Sequence, residues 1–377
     1  MKYLAIFLAC LAGIPSLRAA EPEKVELFQK GEKYGYRIPS VVVTKKGTVL
    51  AFAERRVGLH DHAQNDLVVR RSTDHGRTFG EEIFVHEDGA NVLVNPCAVV
   101  LDSGRVLIMY QWFKEGRHAR AGGHMKLLDT GYEGDTVSRT LVVHSDDDGL
   151  TWSKPRDVTR GTKRPTVVST ATGPGNGIIV RNGPHKGRII MPTNEGWFVG
   201  KGRNFNVYAC FSDDGGETWS MGANAPVGDA GMGNECQVVE LTDGRLMLNS
   251  RGYTGERRKV AVSNDGGATW SKLVADDALV EPRCQGTILR YTGSDGKSRL
   301  LFANPDSPRS KGRHNGTVRI SYDEGKTWPV GRVIEPGYYS YSSLVQLADG
   351  NIGLLYEAEK CHVMRFARIP LAWLEAK

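Results

Sequence analysis

Several signals that would fix a protein's class quickly are missing from these 377 residues. The apolar run Tyr3 to Leu11 is too short to cross a bilayer, which takes roughly 20 residues. Cysteine is scarce: six residues at no metal-like spacing, so a zinc ribbon or finger is excluded. The formal net charge is only +6, and no basic run with interleaved aromatics appears, so nothing in the chain marks a nucleic-acid partner. Linkers and low-complexity segments are absent too.

What is present begins with Met1-Lys2, the apolar run Tyr3 to Leu11, and the small pair Ala19-Ala20, an order that resembles a secretory leader. The expectation is a signal peptide over residues 1–20, one domain over 21–377, and a secreted or periplasmic location. Cys10 after Leu8-Ala9 leaves lipid attachment as an alternative. Losing Lys2 and Arg18 takes the 49 basic residues to 47 against 43 acidic ones, a balance that tolerates an anionic ligand. Cys97, Cys210, Cys236, Cys284 and Cys361 remain, an odd number read as core thiols with room for one bridge.

The pattern Ser-x-Asp-x-Gly-x-Thr-Trp/Phe occurs five times, starting at Ser72, Ser145, Ser212, Ser263 and Ser321, so copies recur every 51 to 73 residues. Such a period marks a repeat architecture. Within each copy the Ser and Asp side chains can bond the backbone of their own turn, the Gly supplies φ > 0, and the aromatic anchors the turn. A calcium loop is the alternative reading of the paired acids, but no copy carries the closing bidentate Glu of an EF-hand. Apolar runs of strand length precede the turns, as in Asn206 to Phe211 and Lys259 to Val262.

Between these turns lies a second unit: apolar run, tight Gly turn, apolar run. Ser40 to Val43 with Val49 to Ala53, Cys97 to Leu101 with Val106 to Tyr110, and Cys236 to Leu241 with Leu246 to Asn249 are examples. Ile178 to Val180 with Arg188 to Met191, Thr287 to Tyr291 with Arg299 to Phe302, and Leu344 to Leu347 with Ile352 to Tyr356 repeat it. Four antiparallel strands in six units predict an all-β fold, a six-bladed β-propeller. The last unit runs out of chain after His362 to Ala367, so Val25 to Gln29 is expected to supply its missing strand and close the ring.

Parity then locates the chemistry. In a four-stranded antiparallel blade, the start of strand one and the loop after strand two share one face, and the tight turns share the other. Arg37 and Asp61 bracket the first unit on that face, Glu235 and Arg251 the fourth, and Tyr341 and Glu357 the sixth, with Arg313 after strand two of the fifth. The insertion Phe113 to Asp135 falls there too, as a lid or a surface loop, and so do Trp197 and Phe198, which can stack on a sugar or simply pack.

Tyr36-Arg37-Ile38-Pro39, the five octapeptides, Asn234-Glu235-Cys236-Gln237-Val238, Asn249-Ser250-Arg251 and Tyr341-Ser342-Ser343-Leu344 together resemble the exo-α-sialidases, or neuraminidases. The resemblance spans essentially the whole chain after the leader. It implies a sialidase-like propeller acting on sialylated oligosaccharides, glycoproteins or gangliosides, with no cofactor and no metal.

The resemblance also implies roles. Arg37, Arg251 and Arg313 would cradle the sialic acid carboxylate, since planar guanidiniums give bidentate bonds that lysine cannot; alignment with the family selects Arg313 over Arg309 and Arg319. Glu357 would orient Arg37. A carboxylate nucleophile would be repelled by the substrate's own carboxylate, and Tyr341 would replace it. Glu235 would take the phenol proton, with the nearby guanidinium charge expected to favour the phenolate. Asp61 would act as acid and base, while Asp66 reads as a strand-entry residue. His60 and His62 flank Asp61 without a third ligand that would suggest zinc. Arg56 resembles a residue near the C4 hydroxyl, and Asn95-Pro96-Cys97 the loop beside the N-acyl group. A trans-sialidase would share all of these residues. A non-catalytic glycan- or protein-binding propeller would not need Tyr341, Glu235 and Asp61 together.

Overall fold

The computed structural model describes residues 19–61, 63–119, 125–199 and 202–376. Most of the expected leader, including Cys10, lies outside these residues, as does His62. Among the described residues the fold is all-β, with α-helix confined to Thr159–Thr162 and Leu371–Glu375. No helix there is long and apolar enough to cross a membrane.

The ladders form sets of four antiparallel strands. Tyr34–Val43, Val49–Val57, Asn65–Ser72 and Ile83–His86 pair in succession. Val92–Val100, Val106–Phe113, Arg139–Ser145 and Arg156–Asp157 repeat the order, as do Gly233–Glu240, Leu246–Gly252, Arg257–Ser263 and Val274–Val280. The inner pairs carry the uninterrupted apolar runs read from the sequence, and Leu50, Ala51, Phe52 and Ala53 are all buried.

The third set departs from expectation. Its first strand is broken into Ser169–Thr172, which pairs with Thr193 to Gly196, and Ile178–Ile179, which pairs with Ile189 and Ile190. Between the pieces, Gly175–Asn176 runs parallel to Cys97 and Ala98 of the neighbouring set. Proline lacks the N–H that a continuous ladder needs, so Pro174 interrupts the strand. The glycines around it allow close approach: a Cβ at Gly173 would fall 2.5 Å from the Gln237 amide.

Val330–Gln346 is a single 17-residue strand, where the sequence reads as two. Its first part pairs with His314–Ser321 and its second with Ile352–Ala358, with a register shift between Tyr339 and Ser342. The chain then returns through Val363–Ile369, whose other edge takes Glu23–Gln29, with Val25 opposite Phe366. The N-terminal strand therefore completes the last set as expected, two residues longer than the sequence reading.

The octapeptides build their turns as the residue types dictate. In the first, Gly76 N–H donates to Ser72 Oγ at 2.8 Å and Thr78 N–H to Asp74 Oδ1 at 2.9 Å. The other four repeat both bonds. Each of these glycines has φ between 81° and 91° and presses on a strand of the preceding set. A Cβ would fall 2.9 Å from Leu50 at Gly149, 2.5 Å from Leu107 at Gly216 and 2.2 Å from Phe366 at Gly76. The last of these joins the first set to the last. The same junction holds an apolar cluster of Leu27, Phe28, Val41, Leu355 and Phe366.

Along the inner strands runs a buried polar network. Ser40 and Ser343 both reach Asn176 Oδ1, at 3.3 and 3.1 Å, and Gln285 Nε2 donates to Pro174 O and Ser342 O, at 3.1 and 2.9 Å. All five described cysteines are buried free thiols.

Candidate active site

The inner strands share a kink at one end. Register shifts fall between Arg37 and Ser40, Val94 and Cys97, Gly233 and Cys236, and Tyr339 and Ser342. Such bulges release residues from the ladder and re-aim their side chains. Ile38 and Asn95 take φ of 59° and 58° there, strained for a β-branched residue. Arg37, Asn95, Glu235 and Tyr341 all sit at these kinks.

They meet in a cavity of about 390 Å³, walled by Arg37, Arg251, Arg313, Glu235 and Tyr341 and also lined by Asp61, Arg56 and Asn95. The phenol of Tyr341 donates to Glu235 Oε1. Arg251 Nη1 donates to Glu235 Oε2 at 2.7 Å and to the Tyr341 hydroxyl oxygen at 3.1 Å. The guanidinium carbons of Arg37 and Arg313 lie 5.4 and 5.3 Å from the centre of the Tyr341 ring. Arg313 is held by Ser340 Oγ at 2.9 Å. Arg319 instead pairs with Asp306 at 2.6 Å, and neither it nor Arg309 lines the cavity.

Beneath the rim, Glu357 is fully buried. Its Oε1 accepts from Arg37 Nε at 2.7 Å and from Ile38 N–H at 2.8 Å. Burial alone would raise this carboxyl, but the Arg37 charge and hydrogen bond outweigh it and hold it below the usual range. At Tyr341 the guanidiniums of Arg251 and Arg313 do pull toward the phenolate, as expected, but they are outweighed. Burial first, and then the Glu235 charge, push the phenol well above its ordinary value of 10.0, over the opposing pull of Arg251 and Arg313. The resting phenol is thereby held neutral, hydrogen-bonded to Glu235.

Asp61 bonds Arg56 Nη1 at 2.9 Å and stands 3.6 Å from Arg37 Nη1, with its side chain half exposed. Asp66, its competitor, is buried against Arg55 at 3.0 Å and is away from the cavity. Trp197 and His60 do not line the cavity, and the side chain of residue 198 is outside the described set. Of the insertion, Phe113, His118 and Ala119 do line it.

Sequence reasoning missed one wall. Arg203 lies 4.5 Å over the Phe205 ring, which packs on Tyr253 at 4.6 Å. These residues lie on and beside the long hairpin Ile189–Val199 and Gly202–Ser212, whose excess length was the only available signal. A second cavity, about 560 Å³, follows the inner strands between Val43, Val100, Ile178, Val239 and Val345; its walls are mostly apolar, with Arg181, Glu240 and Arg290 among them, and it gathers no tyrosine, cysteine or histidine.

Three converging guanidiniums can receive a carboxylate, a phenol beside a carboxylate is a nucleophile with its base, and an acid faces the same space.

Residues 90–354 match the family described as BNR repeat-like domain. The chain is 36% identical to a sialidase of Micromonospora viridifaciens over 97% of its own length, and spans 56% of that protein. It is 31% identical to an exo-alpha-sialidase of Arthroderma benhamiae, covering 90% of this chain and 84% of that one. Among solved structures, a Hadza microbial sialidase superposes with a TM-score of 0.79 at 29% identity, covering 90% of this chain and 66% of the other. The intramolecular trans-sialidase from Ruminococcus gnavus gives 0.78 at 21% identity over 94% and 98%, a likeness of fold.

Proposed function

The chain belongs to the sialidase family, and from that premise we propose that it is an exo-α-sialidase, hydrolysing terminal α-linked sialic acids from glycoconjugates with retention through a sialyl-tyrosine intermediate. The observation that carries this reading is the Tyr341 phenol donating to Glu235 with Arg37, Arg251 and Arg313 around it.

The arginines take the substrate carboxylate, which fixes the anomeric carbon over the phenol. Glu235 accepts the phenol proton as the Tyr341 oxygen attacks, and Asp61 donates a proton to the departing glycosidic oxygen. In the second step Asp61 takes a proton from water, water displaces the tyrosine, and Glu235 returns its proton to the phenol. Two displacements restore the starting configuration. Sialidases are the glycosidases in which tyrosine replaces the usual carboxylate nucleophile, and the carboxylate of the substrate gives the physical reason: a neutral phenol is not repelled by it.

We also propose that residues 21–377 form one six-bladed propeller. Its support is the seam strand Glu23–Gln29, the polar network among the inner strands and the contact of each octapeptide glycine with the preceding set.

The test is hydrolysis of a fluorogenic α-sialoside by wild type, Tyr341→Phe and Asp61→Ala, with NMR of the first-formed sugar. The expected outcome is free sialic acid released as the α-anomer, with turnover strongly reduced in both variants. Equal turnover by all three proteins overturns the mechanism. An anhydro-sugar product would make the chain a transferase acting within its own intermediate, and absence of turnover in wild type would leave a binding propeller.

A further inference from the structure

Glu54, near the end of strand Val49–Val57, is fully buried and takes no part in the scheme above. Four donors converge on it. Oε2 accepts from Arg56 Nε at 2.7 Å, Arg56 Nη2 at 2.6 Å and Asn65 Nδ2 at 3.1 Å, while Oε1 accepts the Asn95 N–H at 2.6 Å.

The arrangement repeats that of Glu357. Both carboxylates sit at the cavity end of the second strand of a set. Each binds one cavity arginine through Nε, Arg56 for Glu54 and Arg37 for Glu357. Each also accepts the amide of a left-handed residue at the kink of the next set, Asn95 at φ 58° and Ile38 at φ 59°. Gln111, at the matching place in the second set, keeps only the amide half of this device: its Oε1 accepts Thr172 N–H at 3.0 Å. A neutral acceptor is therefore enough to hold the neighbouring backbone. The charge on Glu54 has another use.

We propose that Glu54 is a positioning residue that acts on Asp61 through Arg56, while also fixing the Asn95 kink. The inference rests on the reading of Asp61 as the acid and base. Among the described residues, the charges facing Asp61 are Arg56 at 2.9 Å and Arg37 at 3.6 Å. Each guanidinium has its own buried counter-charge, Glu54 and Glu357, which limits how strongly it stabilises the Asp61 carboxylate. With Glu54 neutral, Asp61 is the carboxylate left to Arg56 among the described residues. The ionised form of Asp61 gains, its proton is lost at lower pH, and less of the enzyme carries the acid needed for the first step.

The experiment compares wild type, Glu54→Gln and Glu54→Asp on an α-sialoside across pH, with thermal unfolding and binding of free sialic acid measured on each. Glu54→Gln is expected to lose about 10- to 100-fold in kcat, the range for a lost charge-assisted hydrogen bond, with a smaller rise in KM, because Arg37, Arg251 and Arg313 are untouched while Arg56 and Asn95 line the cavity. Its alkaline limb of kcat/KM is expected to move to lower pH. Glu54→Asp retains the charge and is expected to keep the limb near that of wild type even where its shorter reach lowers kcat. A Glu54→Gln profile that coincides with wild type overturns the proposal, as does a Glu54→Asp limb displaced as far as that of a well-folded Glu54→Gln. Failure of wild type to turn over the sialoside would instead remove the underlying functional reading.

Discussion

Arg37 and Glu357 stand 320 residues apart in the chain and meet at 2.7 Å, where the first and last sets of strands adjoin. The pair ties the assembly of the fold to the assembly of the site, because the same carboxylate oxygen also holds the Ile38 amide. Replacing Glu357 by Gln leaves a buried guanidinium without its counter-charge. Breaking a buried pair on one side costs about 3–5 kcal/mol, so Glu357→Gln is expected to unfold at a clearly lower temperature. Its KM for an α-sialoside should also rise, since Arg37 is no longer aimed. Because the Glu357 carboxyl is held below its ordinary value, its contribution is complete above the unfolded-state pKa and is lost as pH falls toward the folded one. The gap in melting temperature between wild type and variant should therefore narrow on acidification.

Tyr341 and Glu235 supply a second prediction. Burial and the adjacent carboxylate keep the phenol neutral at rest, well above its ordinary value of 10.0. Difference spectroscopy is expected to find no tyrosinate absorbance from this residue below pH 10, with Tyr341→Phe as the blank. Glu235→Gln removes the charge that opposes ionisation but also removes the base. The base matters more for turnover, and a loss of roughly 10²- to 10⁴-fold in kcat is expected. Unchanged kcat would mean that the proton leaves by another path.

How much of this could be read in advance depended on whether a residue announces itself locally. The octapeptides carry their turn chemistry within eight residues, so their places and their hydrogen bonds were legible. So was the missing last strand, because the last unit ran out of chain after His362 to Ala367 and Val25 to Gln29 stood ready to supply it. That the three arginines, Glu235 and Tyr341 come to one cavity was legible through parity and family pattern. Glu54 was not: within Ala-Phe-Ala-Glu-Arg-Arg it looks like one charge among three, and only burial singles it out. The kinks at Ile38 and Asn95 are marked in the sequence by the prolines that follow, but the φ values depend on acceptors more than 40 residues away in one case and more than 300 in the other. The broken strand around Pro174 and the Phe205–Tyr253 wall likewise follow from tertiary neighbours.

The octapeptide aspartates predict a response to acid. Hydrogen bonds, first from the Thr151 hydroxyl, hold Asp147 at about 2. Asp214 is also held at about 2, where burial would raise it but the Thr218 hydroxyl and amide prevail. Depressed carboxyls stabilise the fold fully above the unfolded value and lose that effect as pH falls through the folded one. The melting temperature of wild type is thus expected to fall between about pH 4 and pH 2. Asp147→Asn and Asp214→Asn, measured by calorimetry across the same range, should each start lower at neutral pH and show a shallower acid decline.

The seam gives the prediction that bears on the ring itself. Phe28 is 1% exposed, packs against the Tyr36 ring at 4.9 Å, and belongs to the cluster that contains Met364 and Phe366. Strand Glu23–Gln29 is thus bonded to one end of the chain and packed against residues near the other. Truncating a buried phenylalanine typically costs about 3–5 kcal/mol. If the strand closes the ring, Phe28→Ala should lower the temperature of a single cooperative transition and take the Arg37–Glu357 contact with it, so that hydrolytic activity and tryptophan fluorescence are lost together on heating. Were the strand only a docked tail, it would fray first: the variant would lose its protection from amide exchange over residues 23–29 while the main transition stayed where it is in wild type. Val274→Ser, on strand Val274–Val280 in a different set of strands and 58% exposed, provides the comparison, and it is expected to move the transition by no more than about 0.5 kcal/mol.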